Sequence, residues 1–594
     1  MAQRRHSLLL AVCCTAQFMV ILDVAIVNVA LPSIRASLGF SAINLQWIVN
    51  AYTITFAGFL MLGGRAADLF GQRRVFIAGL LLFAAASVAG GTASSQGLLV
   101  GARAAQGLGG AIMAPASLSI ITSSFAAGAE RMRAVGLWGA MNGAGGATGT
   151  LLGGVITQEL NWRWILLINL PIGIGAALVA RVAVSERRRG EAVPSFDLAG
   201  ALAVTGGLLA LVYGIVTAGT HGWGSLAALG PIALGAVLLA LFLVIEANFS
   251  SAPLLPLRAF SNRLLRVSNL VVLVFSAALF PMWYFVSLYL QEVLRFPPLG
   301  AGLAFLPMAL TIMACALPAG RLVARFGAGP VLGVGLTLMA LGMALFARIA
   351  VNGGYLSDVM VPGLLVATGI GFSVVPSTIA ATATAAPSEA GLASGLVNTS
   401  RQMGGALGLA ILTSLAALYT SHLTSSDFRA PILALTDGFH LAFLIGAGFA
   451  ATGAVLAFRF IPAIVRPATP PPAPPPGAGA DGATPSEDGI VDPLTPPAAA
   501  GVAEASSSQR VTRGANVSAN GNAEAASTAL PVGPAESSSA GVPRGAKADG
   551  DAKSSPARPV VAVIFSIPGA GQWPLARGSM TVPMAGEERS RWTP

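Results

Sequence analysis

Gly64-Arg65-Ala66-Ala67-Asp68-Leu69-Phe70-Gly71 recurs, with drift, 256 positions further on as Gly320-Arg321-Leu322-Val323-Ala324-Arg325-Phe326-Gly327. A second pair keeps nearly the same spacing. Ala134, Gly136, Leu137, Gly145, Gly146, Ala147 and Gly149 match Ala393, Gly395, Leu396, Gly404, Gly405, Ala406 and Gly408 at a constant offset of 259. Glycine is frequent here, so one match carries little weight. Two matches in chain order at nearly one offset mark an internal duplication.

The duplicated blocks are apolar. A helix crossing about 30 Å of hydrocarbon needs ~20 mostly apolar residues. Runs of that kind lie near 8–31, 45–63, 75–94, 97–124, 134–158 and 164–184, and again near 266–290, 299–323, 330–350, 356–378, 391–418 and 438–463. Two more, near 198–219 and 226–247, fall between the copies. The expectation is an all-α polytopic membrane protein with 14 transmembrane helices. Residues 1–190 would form one six-helix bundle, 191–257 two additional linker helices, and 258–466 the second bundle. Parallel six-helix repeats with substrate bound between them describe a secondary transporter.

Composition agrees. Only 10% of the 594 residues are charged and 55% are hydrophobic, where soluble domains carry about 25% charged residues. Residues 1–466 hold 25 of the 34 basic and 13 of the 24 acidic residues, a net +12, leaving −2 for 467–594. The positive charge is mostly arginine in the loops, which points to topology and not to nucleic acid. With the N-terminus cytoplasmic, 18 arginines fall on the cytoplasmic side and five on the other, so both termini are expected there. From Pro467 onward the chain is rich in Pro, Ala, Gly and Ser, beginning with Pro470-Pro471-Pro472-Ala473-Pro474-Pro475-Pro476. Such a segment buries too little apolar surface to fold, so 467–594 reads as a disordered cytoplasmic tail.

Several chemistries are excluded. The only lysines, Lys547 and Lys553, follow alanine, so no phosphate-cradling G-x-x-x-x-G-K-[ST] loop exists. Cys13, Cys14 and Cys315 form neither a disulfide framework nor a metal motif, and His6, His221, His422 and His440 contain no zinc pair. No enzyme activity, metal or cofactor is expected.

Asp23 lies well inside the first apolar run. A charge at bilayer depth costs on the order of 2.5–3.5 kcal/mol, so it is paired or functional. Proton coupling is the favoured role, against a packing Asp held by a neighbour such as Asn28. Arg103, inside the fourth run with Gln106 one turn on, is the candidate partner for that carboxylate. Arg401 poses the same question in the second half; for either Arg the alternative is a long stem reaching headgroups. Gly64, Asp68, Gly71 and Arg73 form a tight basic loop suited to a conformational latch, with Asp68 pairing an Arg across the halves. Asn28, Gln106, Arg401 and the aromatics Trp283, Tyr284 and Tyr289 are further candidates for the substrate pathway, the aromatics being equally suited to plain packing. Glu292, at the end of that aromatic helix, reads as solvated.

These residues resemble a known family, the fourteen-helix drug:proton antiporters of the major facilitator superfamily, over roughly 8–463. Leu22–Pro32 is similar to that family's helix-1 signature L-D-x-T-[IV]-V-N-V-A-L-P, with Ala25 where Thr is usual. Gly64–Arg74 matches the superfamily's helix 2–3 loop, and Leu99–Ala111 resembles the helix-4 motif whose Arg, here Arg103, assists proton transfer. Asn161–Gly173 also looks typical. Gly145–Gly154 departs from the antiporter motif G-x-x-x-G-P-x-x-G-G, with Thr150 in place of Pro. The resemblance implies export of hydrophobic or cationic drugs, antibiotics or secondary metabolites in exchange for protons, from the cell membrane and as a monomer. Two rivals remain open: a proton-coupled or facilitative transporter of one metabolite, and a membrane sensor or scaffold signalling through the tail.

Overall fold

The computed structural model describes residues 2–463 apart from 127, 187–196, 251–252, 256, 384–389 and 427–429. The expected tail, together with Arg187, Arg188, Arg189, Arg429 and Arg466, lies outside the described residues.

Fourteen long helices account for the described chain. They are α1 (Ala2–Leu38), α2 (Trp47–Phe70), α3 (Gln72–Gly91), α4 (Gln96–Ser124), α5 (Ala129–Glu159), α6 (Trp164–Ala183) and α7 (Leu198–His221). The second seven are α8 (Leu226–Phe249), α9 (Arg263–Val293), α10 (Pro298–Phe326), α11 (Ala328–Phe346), α12 (Tyr355–Thr382), α13 (Ala390–Ser426) and α14 (Pro431–Phe460). Thirteen of them are long and apolar enough to cross a membrane. The exception is α5, whose glycines dilute its hydropathy without shortening it. Polar side chains start several of the helices where backbone donors lack partners. Asp197 accepts from Gly200 N at 2.7 Å, and Asn262 accepts from Leu264 N at 3.0 Å. Consecutive helices cross antiparallel, so with fourteen of them both ends of the described chain fall on one face, here the terminal face.

In the first six helices α4 packs on α2 and α3, while α1 packs on α5 and α6. In the last six, α9 packs on α13 and α14, and α11 on α12 and α14. The repeat is visible in side chains too. Gln17 Nε2 donates to Asn142 Oδ1 at 2.9 Å between α1 and α5, and Ser400 Oγ donates to Asn269 Oδ1 at 2.9 Å between α13 and α9.

The extra pair is asymmetric. α7 wedges against both halves: Gly58 of α2 abuts Thr205, and Gly219 of α7 abuts Ser414 of α13. α8 packs on α7 and leaves Leu226, Leu234 and Val237 exposed. A helix apolar on every side belongs in lipid.

The halves meet closely at the face opposite the termini. Gly154 of α5 touches the backbone at Pro298–Leu299, and a Cβ on Gly302 of α10 would stand 2.5 Å from Thr150 O. Toward the terminal face the same helices part: Gly143 has only the Met313 side chain at 3.5 Å, and Gly139 and Gly136 have nothing within 4 Å. Side chains stitch the closed end. Arg35 Nη1 donates to both oxygens of Glu292, at 2.7 and 2.8 Å. Ser287 Oγ donates to Asn28 O at 2.7 Å, Gln291 Nε2 to Val29 O at 2.9 Å, and Leu299 N to Gln158 Oε1 at 3.2 Å. Glu292 is therefore not a solvated helix-end acid. It clasps α1 to α9 from 257 residues away, a distance at which sequence offers no cue.

Candidate functional site

Asp23 is fully buried where five helices converge, and it reaches that depth because α5 offers glycine to α1. A Cβ on Gly149 would lie 2.7 Å from that of Ala25, and Gly153 touches the Ile26 backbone. On α4, Gly107 lies against Tyr52 O, which draws α2 in and brings Arg103 and Gln106, one turn apart, to the carboxylate.

Every oxygen of the carboxylate is engaged. Arg103 Nη1 donates to Oδ2 in a close ion pair, while Gln106 Nε2 and Asn169 Nδ2 donate to Oδ1 at 3.0 and 3.1 Å. The guanidinium is held from behind. Its Nε donates to Ile48 O at 3.0 Å, its Nη1 to Gln106 Oε1 at 2.9 Å, and its Cζ stands 4.5 Å from the centre of the Tyr52 ring. Gln106 Nε2 also donates to Ser87 Oγ at 2.7 Å. Arg103 is 1% exposed, and Asp23, Gln106, Asn169 and Ser87 are 0% exposed, so the charge is shared among side chains and not with bulk water. A buried ion pair keeps such burial tolerable only when its remaining donors and acceptors are met.

Tyr52 carries one of the cluster's two loose ends, the other being Asn169 Oδ1. Its hydroxyl is buried without a hydrogen-bond partner among the described residues, so the ring and not the hydroxyl holds Arg103. Tyr52→Phe is expected to leave thermal stability unchanged or to raise it by up to about 1 kcal/mol, since an unsatisfied buried hydroxyl is removed. Tyr52→Leu, which deletes the ring beneath the cation, should cost about 1–2 kcal/mol. A thermal melt of the two proteins side by side checks both signs.

Of the other sequence candidates, Gln106 belongs to this cluster and is fully buried; the rest lie elsewhere. Asn28 bonds its own helix at Val24 O, 3.0 Å away, and does not hold Asp23. Arg73 Nε donates to Glu186 Oε2 at 3.2 Å, beyond the end of α6 and within its own half, and Arg74 joins it at 3.7 Å. Gly71 makes that loop possible: its φ is +96°, and a Cβ there would stand 2.0 Å from Glu186 Oε1. Gly64 meets only Pro115, at 3.6 Å, and Asp68 lies two residues before α2 ends. The aromatics pack: Trp283 against Phe305 at 5.2 Å and Tyr284 edge-on to Phe285. Tyr289 donates its hydroxyl to Ala350 O at 2.7 Å, with Asp358 beside it. Thr150 bonds back to Ala147 O at 3.0 Å, so α5 runs unbroken where the resembling motif has proline.

The sequence alone does not single out Asn169, Ser87 or Tyr52. A lone Asn within an otherwise apolar helix is the available cue for the first. Nothing distinguishes Ser87 or Tyr52 without the packing.

Residues 13–409 match the family model described as the Major Facilitator Superfamily. The chain is 42% identical over 414 residues to the cephamycin export protein CmcT of Amycolatopsis lactamdurans, covering 69% of this chain and 85% of that protein. It is 39% identical over 460 residues to the puromycin resistance protein pur8 of Streptomyces alboniger, covering 76% and 90%. Among solved structures, a bacterial homolog of the human lysosomal transporter Spinster, inward-facing and unoccupied, superposes with TM-score 0.56 at 16% identity, covering 77% of this chain and 98% of that one. The chain belongs to the major facilitator superfamily. It is a multi-pass membrane transporter of the major facilitator fold, with fourteen long helices among the described residues and small molecules as its substrates.

Proposed function

We propose that the protein exports hydrophobic or cationic drugs, antibiotics or secondary metabolites from the cell, driven by protons, by alternating access in the plasma or inner membrane. The observation that carries the reading is the buried Asp23–Arg103 pair, a titratable charge sealed at the helix junction of a transporter half. The relatives named for cephamycin export and puromycin resistance support the substrate class. Domain limits at 190, 257 and 466 are proposed from the sequence repeat. The terminal face is cytoplasmic on the arginine distribution, and the protein acts as a monomer.

In this assignment a proton arriving at Asp23 removes the counter-charge of Arg103. α1 is then freed from α4, and α1 is the helix tied to α9 through Arg35, Asn28 and Val29. Protonation at the middle of α1 thereby loosens the closed end. The loop at Gly64, Asp68, Gly71 and Arg73 is the latch for the opposite change. In the conformation described, Arg73 is held by Glu186 of its own half and so is not latching the other.

The test is accumulation of fluorescent dyes and antibiotics in cells expressing the protein, with and without a protonophore. Lower accumulation, restored by the protonophore, is expected. Uptake in place of exclusion would favour the metabolite transporter. No flux, combined with loss of a cellular response on deleting 467–594, would favour the sensor.

A further inference from the structure

The second half carries a charge that no described residue neutralises. Arg401 is the twelfth residue of α13 from the terminal face, about 17 Å along the helix at 1.5 Å per residue. Its Nη1 donates to Asn398 Oδ1 at 3.2 Å, one turn back. Its Nε and Nη2 are buried and have no hydrogen-bond partner among the described residues. The carboxylates on the helices packed against α13 in its own half are Glu292 of α9, Asp358 of α12 and Asp437 of α14. All sit at the opposite-face ends of those helices, and each is already engaged, by Arg35, Tyr289 and His440.

The fold itself does not call for a cation there. The 259-residue offset maps Arg401 onto Asn142 of α5, a neutral residue satisfied by Gln17 Nε2 and by its own Gly139 O. Nor does the side chain snorkel to headgroups, because an arginine doing so would place its charged end in water. A buried unpaired charge is costly and is found where a partner arrives in another state.

The geometry of the empty edge says what that partner is. Nε–H and one Nη2–H point the same way, spaced to meet the two oxygens of a carboxylate side by side. Asn398 occupies Nη1 and leaves Nε and Nη2 for another partner. We propose that Arg401 is an oxyanion-binding subsite that selects substrates bearing a carboxylate. The inference rests on the export reading and narrows it, toward acids and zwitterions and away from simple cations. Gly404, Gly405 and Gly408 set α13 in direct contact with α9, so in this proposal the carboxylate reaches the edge when the two helices shift in the transport cycle.

The experiment is binding by the purified full chain, with 9-anthracenecarboxylate and its methyl ester as probes that share the ring system and differ in charge and one methyl group. Charged hydrogen bonds contribute about 1.5–3 kcal/mol each, so the acid should bind at least about tenfold more tightly than the ester. Arg401→Gln should bring that ratio close to one by weakening the acid far more than the ester, with a thermal melt matching the parent to report that the variant is folded. If Arg401→Gln does not fold, Arg401→Lys decides: a point charge on a flexible stem should lower the ratio severalfold. Equal binding of acid and ester by the unaltered protein would overturn the subsite, as would a ratio that neither variant moves. Failure of export in cells would leave the binding ratio standing, whereas loss of the ratio with efflux intact would remove only the subsite.

Discussion

Asp23→Asn is expected to reduce protonophore-sensitive efflux to the background of non-expressing cells, and to lower stability by about 3 kcal/mol. Removing one member of a buried ion pair typically costs about 3–5 kcal/mol, because the survivor stays charged without its partner. The lower end applies here because Arg103 keeps Ile48 O, Gln106 and the Tyr52 ring, and the amide oxygen introduced at position 23 can still accept from Gln106 and Asn169. The two effects separate in a cycle. Asp23→Asn with Arg103→Gln removes both charges, so the pair should recover about 1–3 kcal/mol of the summed losses. Efflux should not recover, since no proton carrier returns. Thermal unfolding and dye efflux at matched expression read the two arms. Full protonophore-sensitive efflux by Asp23→Asn would sink the proton-coupling role.

The same cluster marks how far sequence reading extends. All fourteen helices are legible as apolar runs, including the pair between the repeats. Even α5, which hydropathy dilutes, is betrayed by glycines matching those of α13. Asp23 and Arg103 stand out because charge at bilayer depth is expensive whatever its neighbours. That they touch is a tertiary fact, set by glycines on α5 and α4 that let α1 and α2 close up on them. Asn169 and Ser87 escape notice because a neutral polar residue in a membrane helix costs little and occurs for many reasons. Local chemistry also misdirects. The acid at the end of α9 reads as solvated and is clasped by Arg35, and Arg73 of the basic loop holds Glu186, 113 residues away in its own half, a pairing the sequence does not suggest. Partners more than 100 residues distant leave no local trace.

Gly302→Leu is expected to abolish transport by preventing closure of the face opposite the termini. At Gly302 the obstacle to a side chain is backbone: a Cβ would stand 2.5 Å from Thr150 O and 3.4 Å from Gly154 Cα. No rotamer relieves that contact, so α5 and α10 must part. Overpacking costs typically about 1–3 kcal/mol, which shifts the balance between closed and open by roughly 5–150-fold, at a factor of ten for each 1.4 kcal/mol. The clasp cannot offset this. Arg35 and Glu292 are 34% and 18% exposed in their side chains, and a partly exposed pair contributes at most about 1 kcal/mol. Gly143→Leu is the control, because its added Cβ meets only a methionine side chain at 3.5 Å. Labelling of a Ser287→Cys reporter by a membrane-impermeant maleimide applied outside intact cells measures the outcome. It should rise severalfold or more in Gly302→Leu, with efflux lost, and stay near the parent level in Gly143→Leu. Unchanged labelling in Gly302→Leu, with transport retained, would mean that α5 and α10 do not form the closing seam.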